Sequence, residues 1–171
     1  MTRIRPATLS DAEGLPEIER SAGQSFLVIP HLAWIANDEV QSVERHRSLI
    51  LNGRAWVAEH PLEGTVAFLN GERLETDFHI WEVSVRRESQ GQGLGRALMH
   101  TAINQARSEG LTAVTLTTFR GVAWNELFYL GLGFMTLDEA SLSPRLAGIL
   151  EAEAQAGLDR QTRCAMSLAL V

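Results

Sequence analysis

In the stretch "SQGQGLGRALM", glycine alternates at Gly91, Gly93 and Gly95 with Gln92 and Leu94, flanked by Gln90 and Arg96. Where a glycine-rich turn enters a helix, free backbone N–H groups and the positive end of the helix dipole favour a phosphate-sized anion. Each glycine beside or inside a helix costs up to ~1 kcal/mol relative to alanine. One would relieve a crowded turn, and three in alternation are more than packing asks for. The dinucleotide fingerprint wants glycine at its first, third and sixth positions. Counted from Gly91 the sixth is Arg96, and counted from Gly93 it is Leu98. The triphosphate loop wants a lysine, and all 15 basic residues here are arginine. What remains is an anion-binding loop of another kind.

The elements around the loop follow from pattern. "TRIRPAT" predicts a short first strand, and Ser10 or Asp11 predicts the cap of a helix running to about Arg20, with Glu13 completing a capping box on Ser10. "SFLVIPHLAWIA" is an irregular apolar segment, and "NDEVQSVERHRSLILNG" predicts a helix closed by glycine. "RAWVAE" and "GTVAFLNGERL" alternate as a hairpin around "HPLEG". "FHIWEVSV" is a third, strongly apolar strand feeding the loop. A helix then runs from about Leu94 to Glu109, with Leu94, Ala97, Leu98, Ala102 and Ala106 on one face. "AVTLTTF" must lie parallel to "FHIWEVSV", because the helix between them makes a crossover. "WNELFYLGLGF" predicts a short helix, "SPRLAGILEAEAQAG" another, and "TRCAMSLALV" a closing strand. The sum is an α/β chain with a mixed sheet.

Composition narrows the function classes. At 171 residues the chain is expected to form one domain, residues 1–171. No signal peptide is expected, and no apolar run approaches the ~20 residues a membrane span needs. The lone Cys164 excludes an internal disulfide, suits a cytoplasmic location, and reads as a small core residue on the last strand. A net charge of −6 argues against nucleic acid and favours a neutral or cationic partner.

With these residues in view, Gln90-Gly91-Gln92-Gly93-Leu94-Gly95 resembles the acetyl-coenzyme A pyrophosphate loop of the GCN5-related N-acetyltransferases, whose pattern is Gln or Arg, two residues, Gly, one residue, Gly or Ala. "FYLGLGF", Phe128 to Phe134, resembles the segment that follows the next strand in that family, and the order of elements agrees over most of the chain. The resemblance implies a single-domain fold with a mixed, mostly antiparallel sheet, a splayed central parallel strand pair and helices on both faces. It implies acetyl-coenzyme A as acetyl donor, no metal, and direct transfer to a primary amine, whether a small molecule or a peptide.

Residue by residue, the resemblance implies that backbone amides of Gln90, Gly91, Gln92, Gly93, Leu94, Gly95 and Arg96 hold the pyrophosphate. Backbone groups of Val83 and Val85 would pair with the pantetheine arm. The apolar residues of "FHIWEVSV" switch parity between Ile80 and Val83, which fits either a β-bulge or a strand buried on both faces. Tyr129, the only tyrosine, falls where the family places the acid that protonates the departing sulfur; its alternative is a packed core aromatic. Glu82 and His79, on the strand beside the thioester, are the candidate bases, and a water chain is the alternative. Glu82 in an apolar run is either a functional carboxyl of raised pKa or one neutralised by an arginine.

Two departures from the family pattern stand out. Where many members carry an asparagine, this chain has Val122, and Asn125 is the candidate to reach the coenzyme A arm. "SPRLAGILEAEAQAG" replaces a short hairpin loop; it covers the acceptor pocket, forms a homodimer contact, or packs on the sheet with Glu151 and Glu153 in water. Phe26, Leu27, Ile29, Trp34 and Ile35 suggest an apolar wall for the acceptor, with His31 either touching it or facing solvent. A non-catalytic acyl-coenzyme A sensor of the same fold is the alternative function.

Overall fold

The computed structural model describes residues 1–171 and contains seven strands in one sheet, ordered β1-β2-β3-β4-β5-β7-β6. The strands are β1 Arg3–Pro6, β2 Arg54–His60, β3 Gly64–Leu74, β4 Asp77–Val85, β5 Ala113–Phe119, β6 Met135–Thr136 and β7 Arg163–Ala169. The helices are α1 Leu15–Gly23, α2 Val43–Asn52, α3 Leu94–Ser108, α4 Glu126–Gly131 and α5 Pro144–Gln155. The chain divides into two compact units. One comprises Met1–Arg73 with Ile80–Gln105, the other Leu74–His79 with Ala106–Val171.

In the first unit β1, β2 and β3 pair antiparallel, as the hairpin around "HPLEG" predicts, with an irregularity in β2 between Ala58 and Glu59. The first helix starts later than its sequence suggests. The Asp11 carboxylate accepts the Thr8 N–H at 2.7 Å, so Thr8 caps a 3₁₀ turn, and Gly14, not Ser10 or Asp11, stands at the cap position of α1. A 3₁₀ turn over Leu9–Gly14 follows, and α1 begins only at Leu15 with Pro16 in its first turn. Asp11 also meets Arg5 in a two-pronged pair at 2.9 Å, which holds the Asp11 carboxyl down to about 2. Leu15 and Ile18 bury one stripe of α1 against Val57 and Phe68. The segment read as irregular forms two 3₁₀ runs, Gln24–Val28 and Pro30–Asn37. In α2 the Ser42 hydroxyl caps the Arg45 N–H at 3.0 Å.

His46 in "ERHRS" looks like a wet helix residue and is 1% exposed. Its ring meets Phe68 edge-on at 5.0 Å, and its Nδ1 faces the Asn70 amide nitrogen at 3.3 Å. Burial, aided by the charge of Arg45, lowers its pKa to about 4. Its folded value thus lies below the unfolded one, so the unfolded chain binds more protons as pH falls from about 6.5 to about 4. Stability must drop through that window, by on the order of 3 kcal/mol from this group. Melting temperatures measured from pH 7 to 4 should fall more steeply for the natural chain than for His46→Asn; parallel slopes would remove His46 from the acid response.

In the second unit β5 pairs antiparallel with β7, and β7 with β6. The start of β4 pairs parallel with β5 through Asp77↔Ala113, Phe78↔Val114 and His79↔Thr115. The crossover inferred from the intervening helix is therefore present. Phe78, His79 and Ile80 are consecutively buried, so β4 has both faces covered here. Ser143 caps α5 by accepting the Leu146 N–H at 3.2 Å, and Leu146 and Leu150 pack with Ala165 of β7.

One face of α5 is more polar inside than its sequence suggests. Glu153, expected in water, accepts Thr117 Oγ1 at 2.6 Å and Arg163 Nη2 at 3.1 Å, while the Arg163 guanidinium lies over the Phe119 ring at 4.4 Å. Its neighbour Glu151 is exposed as expected. The Arg163 and Glu153 side chains are only 11% and 19% exposed. Glu153→Ala leaves that guanidinium without its carboxylate, which should cost about 2–3 kcal/mol in chemical denaturation. A loss below about 0.5 kcal/mol would show the pair to be worth no more than a surface contact.

Candidate functional site

The glycine loop lies in the first unit, between β4 and α3. Gly91 and Gly93 adopt left-handed backbone, φ 77° and 81°, a region that β-branched residues avoid, and nothing lies within 4 Å of where their side chains would start. Gln90 to Gly93 are exposed, Leu94 is buried, and α3 begins there with Ala97 N–H donating to Gly93 O at 3.0 Å. The first amides of this 15-residue helix have no acceptor within the helix itself. That geometry suits an anion and admits close approach by a pyrophosphate.

The loop is anchored rather than loose. Gln90 Nε2 donates to Val85 O at 3.0 Å, and its Oε1 accepts Ser25 Oγ at 3.3 Å. The Arg87 N–H donates to Ser21 Oγ at 2.9 Å. The end of α1 and the residues just beyond it thus hold the loop's entry. An open cleft next to that entry is lined by Glu17, Ser21, Glu63, Arg86 and Glu88. Three carboxylates among those five residues disfavour a pyrophosphate in the cleft, whereas Gln90 to Arg96 carry none.

On β4 in the same unit, Val83 and Val85 are half-buried, and Glu82 accepts the Ser84 hydroxyl at 3.1 Å. Next to them Trp81 Nε1 donates to Glu72 at 2.9 Å, beneath the Arg45 guanidinium at 5.4 Å from the ring.

The remaining candidates lie in the second unit. His79 is fully buried, with Nδ1 at 2.8 Å from Thr115 Oγ1. Burial, then the charge of Arg145, lowers its pKa to about 3, so it is neutral at physiological pH. Tyr129 is half-buried, its ring edge-on to Phe128 at 5.1 Å and to Phe134 at 5.9 Å. Phe134 donates its N–H to Tyr129 O at 3.1 Å, so "FYLGLGF" fixes the ring through both backbone and packing. The Asn125 carboxamide oxygen accepts Thr118 Oγ1 at 2.6 Å and the Phe119 N–H at 3.4 Å, tying the end of β5 to the start of α4. Its amide N–H₂ is the part suited to a ligand. Cys164 is buried, and burial pushes its thiol up to about 11, as a core residue requires.

Of the apolar wall expected for the acceptor, Phe26 is buried while Leu27 and Trp34 are exposed, with Val28 beside them at 73% exposure. Sequence reasoning passed over Glu19, a carboxylate of α1 that burial pushes up to about 7. In "PEIERS" it reads as one more charged residue on a surface helix, and only the fold reveals its partner. No helix is long and apolar enough to cross a membrane.

A family model described as an acetyltransferase (GNAT) domain matches residues 52–136. N-acetyltransferase 8F1 of Rattus norvegicus is 32% identical over 108 residues, covering 57% of this chain and 48% of that protein, so the chain spans about half the length of this curated relative. Among solved structures, a PaiA N-acetyltransferase from Thermoplasma acidophilum in complex with coenzyme A superposes with a TM-score of 0.70 at 15% identity, over 99% of each chain. An acetyltransferase of the GNAT family from Staphylococcus aureus Mu50 does so with 0.71 at 16% identity, over 100% of each. At such identities the structures establish the fold alone.

Proposed function

The chain belongs to the GCN5-related N-acetyltransferase family, and on that premise we propose that it transfers an acetyl group from acetyl-coenzyme A directly to a primary amine in a ternary complex. The observation that carries the reading is the loop: Gly91 and Gly93 in left-handed conformation, unobstructed, at the start of α3. The loop residues fit the pyrophosphate, and Val83 and Val85 offer β4 backbone to the pantetheine arm. Acetyl-coenzyme A supplies the acetyl group as a thioester, which an amine attacks at the carbonyl carbon with loss of the thiol.

The chain's residues then have two proton tasks. Tyr129 holds at its hydroxyl the proton that the departing sulfur needs, and a ring clamped by Phe128 and Phe134 keeps that hydroxyl in place. Glu82 takes the proton that the ammonium must lose, directly or through water. His79 is the weaker base of the two candidates. A value near 3 gives it little affinity for an ammonium proton, and one ring nitrogen is engaged with Thr115. Asn125 would contribute its amide N–H₂ to the coenzyme A arm.

The test is acetyl-coenzyme A-dependent release of free thiol with a panel of primary amines. Amine-dependent release supports the transferase. Tight coenzyme A binding with no release for any amine or peptide assigns an acyl-coenzyme A sensor instead.

A further inference from the structure

We propose that Glu126 is the positioning residue for Tyr129: it clamps the first turn of α4 to the sheet and so fixes the hydroxyl that serves the departing sulfur. The inference rests on the N-acetyltransferase reading. α4 is a helix of six residues, too short to hold itself by its own backbone bonds. Apolar burial does not hold it either. None of its residues is buried, and Leu127 and Leu130 are 51% and 44% exposed. Of the two rings that flank Tyr129, Phe128 rides on α4 itself, so only the buried Phe134 ties the tyrosine down, from the C-terminal side. A proton donor displaced by about 1 Å loses much of its effect, so the N-terminal side needs an anchor of its own.

Glu126, the first residue of α4, supplies it. One carboxylate oxygen accepts the Gly121 N–H at 2.8 Å and the other accepts the Thr136 hydroxyl at 2.6 Å. Gly121 follows the end of β5, and Thr136 is on β6, where it pairs with Met166 of β7. One side chain thus ties the helix start to two separate stretches of the sheet's margin. Tyr129 comes three residues later, one turn along the same side of the helix. Asn125, next to Glu126, bonds Thr118 and the Phe119 N–H, but its amide is also assigned to the coenzyme A arm, so its loss would mix binding with positioning. Glu126 has no such second task.

Glu126→Ala removes both bonds. With phenethylamine, spermidine and alaninamide as acceptors, kcat for the best of the three should fall about tenfold or more, with its KM and the coenzyme A affinity unchanged. Added to Tyr129→Phe, the same substitution should lower kcat by less than about twofold further, since it acts only through the missing hydroxyl. Glu126→Gln keeps an oxygen for the Gly121 N–H and an amide for the Thr136 hydroxyl, and should stay within about threefold of the natural kcat. An equal fall in both backgrounds, no fall in either, or a Gln variant as slow as the Ala one overturns the proposal. If Glu126→Ala is unfolded by circular dichroism, Thr136→Val takes its place throughout, with an expected fall of about threefold. Tyr129 is the only tyrosine, so ring-labelled tyrosine gives one set of NMR signals that needs no turnover. These should move toward the values of an unstructured tyrosine in the clamp variant and hold their place in Glu126→Gln. If the natural chain releases no thiol with any of the three amines, the transferase reading fails and the ring signals decide the clamp by themselves: moved signals support it, and unmoved ones overturn it.

Discussion

Tyr129→Phe should slow the chemical step roughly 100-fold, the usual scale for losing a general acid. The substitution removes one oxygen and leaves the ring, so the edge-on contacts to Phe128 and Phe134 persist. Melting temperature should hardly move. Acetyl-coenzyme A affinity should also be preserved, since a proton given to departing sulfur matters mainly in the transition state. A Tyr129 whose hydroxyl serves only as a structural bond makes the opposite forecast, lowered stability with turnover nearly intact. Turnover, coenzyme A affinity and melting temperature taken on one sample separate the two, and near-normal turnover removes Tyr129 from the mechanism.

Gly93→Val should weaken coenzyme A by at least ~2 kcal/mol, about 30-fold in Kd. Two effects add. At φ 81° a β-branched residue is strained, so the loop would pull away from its present path. The new side chain would also fill the open space beside Gly93, through which a pyrophosphate bound by the loop would approach. Because no atom lies within 4 Å of the starting Cβ, the substitution meets no steric block in the fold itself. Circular dichroism should show a folded chain, and calorimetry with coenzyme A should show the loss. Undiminished affinity in a folded variant would sink the pyrophosphate assignment.

The parts of this molecule that were legible in the sequence are those governed by local chemistry. Alternating glycines, the crossover from β4 through α3 to β5, and the Ser-Pro start of α5 each depend on neighbours within a few residues, and each is present. Neither Ser10 nor Asp11 caps α1, because Asp11 bonds the Thr8 N–H and a 3₁₀ turn intervenes before the helix starts at Leu15. Glu153 was expected in water, and the surroundings of His46 and Glu19 were not legible at all, for a different reason. Their helical spacing does put charged neighbours in water, but what each one meets comes from distant chain: Phe68 and Asn70, the Gln41 N–H, and Arg163 with Thr117. No window of sequence contains those pairs. The same limit applies to His79, whose partner Thr115 comes from the next strand over.

The pyrophosphate assignment is tested most directly by the backbone amide resonances of the natural chain, followed by ¹⁵N NMR as coenzyme A is added. Binding by the glycine loop predicts that the largest shifts fall on the amides of Gln90 to Arg96, with further shifts at Val83 and Val85. Saturable binding that leaves the amides of Gln90 to Arg96 unmoved, with the large shifts elsewhere, would contradict it.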